Sequence, residues 1–289
     1  MIETLQLLFI SMRPWALIQN LLVLVPFIFS PGHFSGLDFF KCLLALLVWG
    51  LLQGCAAIAN DLLDTGRDSL HPLNRQRPIP SGRLSTNRAE SALAILALGA
   101  LVAGFVLNTY FGLTCLAFVI LMMLYTLWLR HFPIFELLVL GIAMSLRVVA
   151  GYTLINMPIS PWGVLPAFSL GFLLACAKRL HESYLLGKDA PQFRGVFDEY
   201  SRSLLQQLFG FAIFATAGTY TLSALLSAPA QIDHRPLWLT LPPVFYGLLR
   251  FWQKFLDAPA AMPPDEMPIR ERSLQWALGV WLVFALIIT

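Results

Sequence analysis

Asp61, Asp64 and Asp68 stand three and then four residues apart at the end of a long apolar run, with Asn60 directly before them, in AIANDLLDTGRDSLHPLNRQRPIPSG (residues 57–82). If that run continues as a helix, a turn of 100° per residue brings the three carboxylates within about 60° of one another over two turns. Stacked carboxylates repel, and the negative end of the helix macrodipole opposes them as well. A cation is therefore expected beside them. Carboxylate oxygens suit Mg2+, which takes one or two of them and completes its shell with water and substrate phosphate. Arg75, Arg77 and Arg83 follow in a proline-rich stretch, and arginines beside such a cation fit a ligand carrying several phosphates. The expected chemistry is metal-assisted handling of a diphosphate. Asp61, Asp64 and Asp68 are its catalytic metal ligands, and Asn60, Arg75 and Arg77 face the substrate.

The elements that position these residues must lie in a membrane. The chain of 289 residues is 58% hydrophobic and 12% charged, with a mean hydropathy of +0.72, whereas a soluble domain carries roughly twice that charge. The apolar residues recur in runs of helical length with no alternation in polarity, so an all-α polytopic bundle is expected and a β-barrel is not. Spans of about twenty apolar residues are expected near 14–30, 39–59, 90–107, 111–129, 134–155, 162–182, 203–226, 237–256 and 273–289. These make nine helices of one domain covering 1–289. Lys41 and Arg235 fall on one side and Arg147 inside a span, leaving 16 of the 19 Lys and Arg on the opposite face. By the positive-inside rule that face is cytoplasmic. It carries two long loops, 60–89 and 183–202, so the acid cluster opens to the cytoplasm of a cell whose inner membrane holds the bundle. Cys42, Cys55, Cys115 and Cys176 stand singly in apolar runs and are expected as core residues. No removable signal peptide is evident at the N-terminus, and no nucleic-acid partner is expected.

Other polar residues keep two readings each. Arg147 lies mid-span with no acid three or four residues away. It either pairs with Glu136 or Glu182 across helices or faces a central cavity and a phosphate. Lys178 and Arg179 serve as topology markers or as phosphate ligands, and Arg130 and His131 share that ambiguity. Tyr125 and Tyr200 either hydrogen-bond a sugar or anchor at the membrane interface.

The stretch NDLLDTGRD resembles the N-D-x-x-D-x-x-x-D motif of the UbiA superfamily of intramembrane prenyltransferases, found at the end of a second membrane helix. That resemblance implies a UbiA-like bundle of nine spans around a central cavity open to the cytoplasm. Members that transfer prenyl groups carry a second aspartate-rich motif near the end of helix 6. Here Lys178, Arg179 and Glu182 of KRLHE stand in its place.

The substitution resembles the decaprenyl-phosphate 5-phosphoribosyltransferase branch. RPWALIQN, from Arg13 to Asn20, is similar to that branch's opening R-P-x-x-W-x-K-N, with Gln19 at the lysine position. YTLWLRHFPIFELLVL, SLRVVAG, ISPWGVL, EYSRSLL and RERSLQWALGVW are similar to further segments in the same order, with Glu136 and Glu271 where aspartate is usual. The branch implies an Mg2+-dependent transfer of 5-phosphoribose from 5-phosphoribosyl diphosphate (PRPP) to a polyprenyl, decaprenyl-like phosphate, releasing diphosphate. Arg13, Asn20, Tyr125, Arg147, Lys178, Arg179, Glu182 and Tyr200 join the substrate site under this reading, and the resemblance leaves room for a homo-oligomer. The alternative is a prenyltransferase moving a prenyl group from a polyprenyl diphosphate to an aromatic acceptor. A transporter or lipid scaffold on the same fold is a third reading.

Overall fold

A computed structural model describes residues 2–29, 36–227 and 235–288. They form helices and turns, with no strand among them. Helix α1 (Ile2–Ser11) leads into a 3-10 helix (Pro14–Leu24) and a short α2 (Val25–Phe29). There follow α3 (Gly36–Asp68), α4 (Thr86–Leu107), α5 (Thr109–Leu127), α6 (Phe135–Leu154), α7 (Pro161–Leu186), α8 (Ala190–Phe193), α9 (Arg202–Leu226), α10 (Leu241–Asp257), α11 (Met267–Arg270) and α12 (Arg272–Ile288).

Among the described residues, six helices are long and apolar enough to cross a membrane: α3, α4, α5, α6, α7 with its continuation to Phe193, and α9. The segments Glu3–Ser11 and Pro14–Phe29, bent by 57° at their junction, make a seventh as a broken or re-entrant span. The expected nine are therefore not confirmed among the described residues. α10 and α12 lie where the last two spans were placed, and each has 17 residues, at the lower end of what a bilayer asks for. Composition alone ran the apolar stretch at 237 through a 3-10 turn at Leu237–Thr240 that lies outside α10. Residues 30 and 289, which end the first and last expected spans, lie outside the described residues.

The first expected span also differs in kind. It is a 3-10 helix of 11 residues, although such helices seldom run beyond three or four. Packing explains it. Arg13 adopts a left-handed φ of 55°, which turns the chain sharply at the end of α1, and Pro14 starts the new helix. Glycines on the neighbouring helices then let its backbone come close. A Cβ on Gly151 of α6 would run into the Val23 carbonyl oxygen, and one on Gly50 of α3 would come within 3.1 Å of Leu17.

α3 is 33 residues long, about 50 Å at 1.5 Å per residue, against a hydrocarbon layer of about 30 Å. Its last turns therefore stand clear of the apolar layer. α6 is central, with 67% of its apolar window buried, whereas α4 buries 11% and presents the rest to lipid. One core cluster joins α6, α7, α9 and α10 around Leu173, Leu205 and Phe209. Another joins α3, α5 and α6 around Trp49, Phe111 and Phe118. A small third cluster of Ile58, Ile79, Leu84 and Ala89 pins the proline-rich loop beneath the end of α3. All four cysteines are free and buried, as expected.

Candidate functional site

The face of α3 anticipated from spacing is present. Asp61, Asp64 and Asp68 are all buried, whereas Leu63, Gly66 and Arg67 between them are exposed. Each carboxylate is held by arginine. Asp61, only 1% exposed, accepts from Arg13 at 2.5 Å and from Arg77 at 3.0 Å, both on Oδ1. Asp64 accepts from Arg67 and from Arg130, at 2.6 Å each on separate oxygens. Asp68 accepts from Asn74 at 2.8 Å and from Arg77 at 3.2 Å. Asn60 joins through a longer bond, its Oδ1 accepting from Arg130 at 3.5 Å. Arg77 thus bridges Asp61 and Asp68 from the proline-rich loop. Burial, and the neighbouring Arg13, push its pKa down from the usual arginine range while the two aspartates oppose them. Arg75 sits exposed on a 3-10 turn beside it.

The residues of α7 divide. Arg179, 1% exposed, donates to both oxygens of Glu136, at 2.6 Å each, and Glu136 is fully buried. It also donates to Glu182 at 3.0 Å and to the Tyr125 hydroxyl at 3.0 Å. The sequence reading set Arg179 and Tyr125 beside substrate; here they form a buried network tying α5, α6 and α7 together. Lys178, half-buried, makes no hydrogen bond or ion pair among the described residues. Tyr200 accepts from the backbone N–H of Ile134 at 2.6 Å, fixing a β-branched residue at φ 63°, a conformation such residues rarely adopt.

Arg147 meets neither Glu136 nor Glu182. It donates to Asn20 at 2.9 Å, to Gln53 at 3.1 Å and to its own helix's Ala143 carbonyl at 2.7 Å, with its guanidinium over the Phe118 ring. Its charge is therefore solvated by neutral groups deep in the bundle. Asn20, which the sequence reading placed on the substrate, is one of those groups.

A small cleft of about 40 Å³, open to solvent, lies beside Asp64 and Asp68. Arg67, His71, Arg130, Glu182 and Arg194 line it. The segment 187–198 forms its outer wall. Arg67 reaches the Phe193 carbonyl at 3.5 Å, and the His71 ring meets the Phe193 ring edge-on at 5.0 Å. His71 Nδ1 accepts from the N–H groups of Leu73 and Asn74, at 3.2 Å each, which leaves the ring proton on Nε2. Burial lowers its pKa, against the raising effect of Glu182 and Asp68. Arg67, His71, Gln53 and Arg194 escaped the sequence reading. Arg67 carried a signal, since it stands three residues after Asp64 on one helix, and so did Gln53, a polar residue in mid-span.

The donor set fits Mg2+ in kind. Hard carboxylate oxygens are what that ion takes, and Asp61 Oδ2 is buried with no hydrogen-bond partner. Among the described residues no three acidic, imidazole or thiol groups converge on one point, because arginines pair with each carboxylate.

Residues 21–267 match the UbiA prenyltransferase family. The chain is 25% identical over 286 residues to the decaprenyl-phosphate phosphoribosyltransferase of Mycolicibacterium smegmatis, covering 94% of this chain and 89% of the relative. It is 29% identical over 141 residues to a protoheme IX farnesyltransferase of Bradyrhizobium, covering 48% of this chain and 44% of the other. In structure it is similar to a UbiA homologue from Archaeoglobus fulgidus bound to GPP and Mg2+, with a TM-score of 0.73, 16% identity and 99% of each chain covered.

Proposed function

The chain belongs to the UbiA prenyltransferase family, and within it we propose that this protein transfers 5-phosphoribose from PRPP to a polyprenyl phosphate and releases diphosphate. The observation that carries this reading is the wall facing the aspartates. Where a prenyltransferase would present a second acidic cluster, α7 offers Lys178, a buried Arg179 and a single carboxylate, Glu182, itself paired to Arg179 and Arg194. One acidic arm amid arginines suits a donor with more phosphate than a prenyl diphosphate carries. The similarity to the mycobacterial phosphoribosyltransferase along nearly the whole chain supports the same reading.

Asp61, Asp64 and Asp68, with Asn60 beside them, would hold Mg2+. When bound, the ion neutralises charge on the departing diphosphate. Arg13, Arg77 and Arg130 already surround the carboxylates and are placed to bind and orient the phosphate oxygens. The C1–O bond of the donor breaks toward diphosphate, and an oxygen of the lipid phosphate forms the new bond to C1 from the opposite face, inverting its configuration. The attacking oxygen is already anionic, so no general base is needed. Positioning and electrostatic stabilisation carry the rate. Lys178, which makes no hydrogen bond or ion pair among the described residues, is a cation available to the lipid phosphate. The excess of arginines on this face orients the site toward the cytoplasm of an inner membrane.

Labelled PRPP, Mg2+ and a polyprenyl phosphate, incubated with purified protein in detergent beside an Asp64→Asn control, test the reading. Organic-extractable label that vanishes in the control supports it. Consumption of a prenyl diphosphate with an aromatic acceptor, and no transfer from PRPP, overturns it in favour of prenyl transfer.

A further inference from the structure

The cleft beside Asp64 and Asp68 holds hydrogen-bond donors that the aspartates leave unused. Among the described residues the Arg194 side chain has a single partner: its Nε lies 3.5 Å from Glu182, the longest of the arginine–carboxylate pairs around the site. Its two terminal amino groups bond nothing among the described residues. Arg130 Nε is buried with no acceptor. His71 keeps its proton on Nε2, because the backbone N–H groups of Leu73 and Asn74 occupy Nδ1. These donors reach the cleft from separate segments: the end of α3 and the loop after it, the turn after α5, and the 187–198 wall.

The walls leave room for a ligand. Gly195 in the outer wall faces open space, since a Cβ added there would meet nothing within 4 Å. The cleft is small, about 40 Å³, and open to solvent, which suits one compact headgroup and not a drug-sized molecule. A compact dianion with several acceptor oxygens complements such a cluster, because charge-assisted bonds from guanidinium to phosphate are the strong ones. An apolar tail does not, since it would bury arginines with no acceptor.

We propose that this cleft is a phosphomonoester subsite, in which Arg194, Arg67 and the Nε2–H of His71 hold the 5-phosphate of the donor while its diphosphate lies at Asp61, Asp64 and Asp68. The identity of the ligand rests on the phosphoribosyl reading given above. The subsite makes specificity a matter of the donor's far end. A prenyl diphosphate can satisfy the aspartate arm, but it brings nothing that the cleft accepts.

The test is equilibrium dialysis of labelled ribose 5-phosphate against purified protein in detergent, with Mg2+ and inorganic diphosphate present to fill the aspartate arm. Wild-type protein binds it saturably, PRPP displaces it and unphosphorylated ribose does not. Arg194→Ala and Arg67→Ala each weaken it by about tenfold or more, the loss expected for a charge-assisted hydrogen bond, and Arg194→Lys recovers part of the affinity. Arg194 is a partly exposed loop residue, and retention of diphosphate binding within about twofold verifies that its variant is folded. Wild-type protein that binds ribose 5-phosphate no better than ribose overturns the subsite, as does unchanged affinity in both alanine variants. Intact, arginine-dependent binding without phosphoribosyl transfer overturns the proposed reaction instead and leaves the subsite standing.

Discussion

Replacing Arg179 with alanine separates a structural role from a phosphate-binding one. The side chain is 1% exposed and spends its donors on Glu136, Glu182 and Tyr125. Its removal leaves Glu136, fully buried, as a charge without a counter-ion. Breaking a buried pair from one side costs about 3–5 kcal/mol. At about 2–4 °C per kcal/mol for a chain of this size, the apparent unfolding temperature falls by about 6–20 °C. Helical membrane proteins often unfold irreversibly, so wild type and variant are compared in one detergent at one scan rate. The double variant Arg179→Met with Glu136→Leu removes both charges together, and it should recover most of the loss, because an apolar replacement of a buried pair is close to neutral. An Arg179→Ala protein that melts within about 2 °C of wild type and shows a raised KM for PRPP would refute this reasoning and return Arg179 to the substrate.

Three further outcomes follow from the geometry. Because arginines neutralise every aspartate of the motif, Mn2+ used as a spectroscopic probe binds weakly alone and about tenfold or more tightly with diphosphate present; equal affinities in titrations with and without diphosphate would contradict this. Gly151→Ala forces the new methyl against the Val23 carbonyl and lowers stability by about 1–3 kcal/mol, read by thermal unfolding, whereas Gly218→Ala, which meets nothing within 4 Å, does not. Ile79→Ala loosens the buried anchor of the proline-rich loop, a deletion of the kind that costs about 2–5 kcal/mol, and tryptic cleavage after Arg75 becomes faster than in wild type.

The acid face of α3 was legible because its logic is local. Spacing along one helix decides which side chains share a face, and Asp61, Asp64 and Asp68 share one. Six of the expected spans coincide with six long helices for the same reason. What spacing could not supply was partnership across the bundle. Arg147 finds Asn20 and Gln53 at separations of 127 and 94 residues, and neither carries the charge that an arginine in a membrane leads one to seek. Glu136 was weighed as a partner for Arg147, on its own helix, yet it belongs to Arg179 on the next. The 3-10 segment was illegible because its apolar composition matches that of a membrane α-helix. Only the glycines of α3 and α6 reveal that a tighter coil is packed there.

That tighter coil sets how the chain tolerates changes in length. A 3-10 helix completes a turn in three residues and rises about 2.0 Å per residue, so Arg13 and Asn20 lie about 14 Å apart along it, against about 10.5 Å in an α-helix. Arg13 grips Asp61 at one end, and Asn20 grips Arg147 deep in the bundle. Asn20, Val23 and Pro26, three apart, are all buried. Inserting or deleting one residue between Arg13 and Asn20 therefore swings the buried side chains by a third of a turn, and the two anchors cannot both be kept. Removing three residues keeps every face but shortens the reach by about 6 Å. Neither a single step nor a triplet preserves both grips, so between these two positions the chain should tolerate substitution but not a change in length.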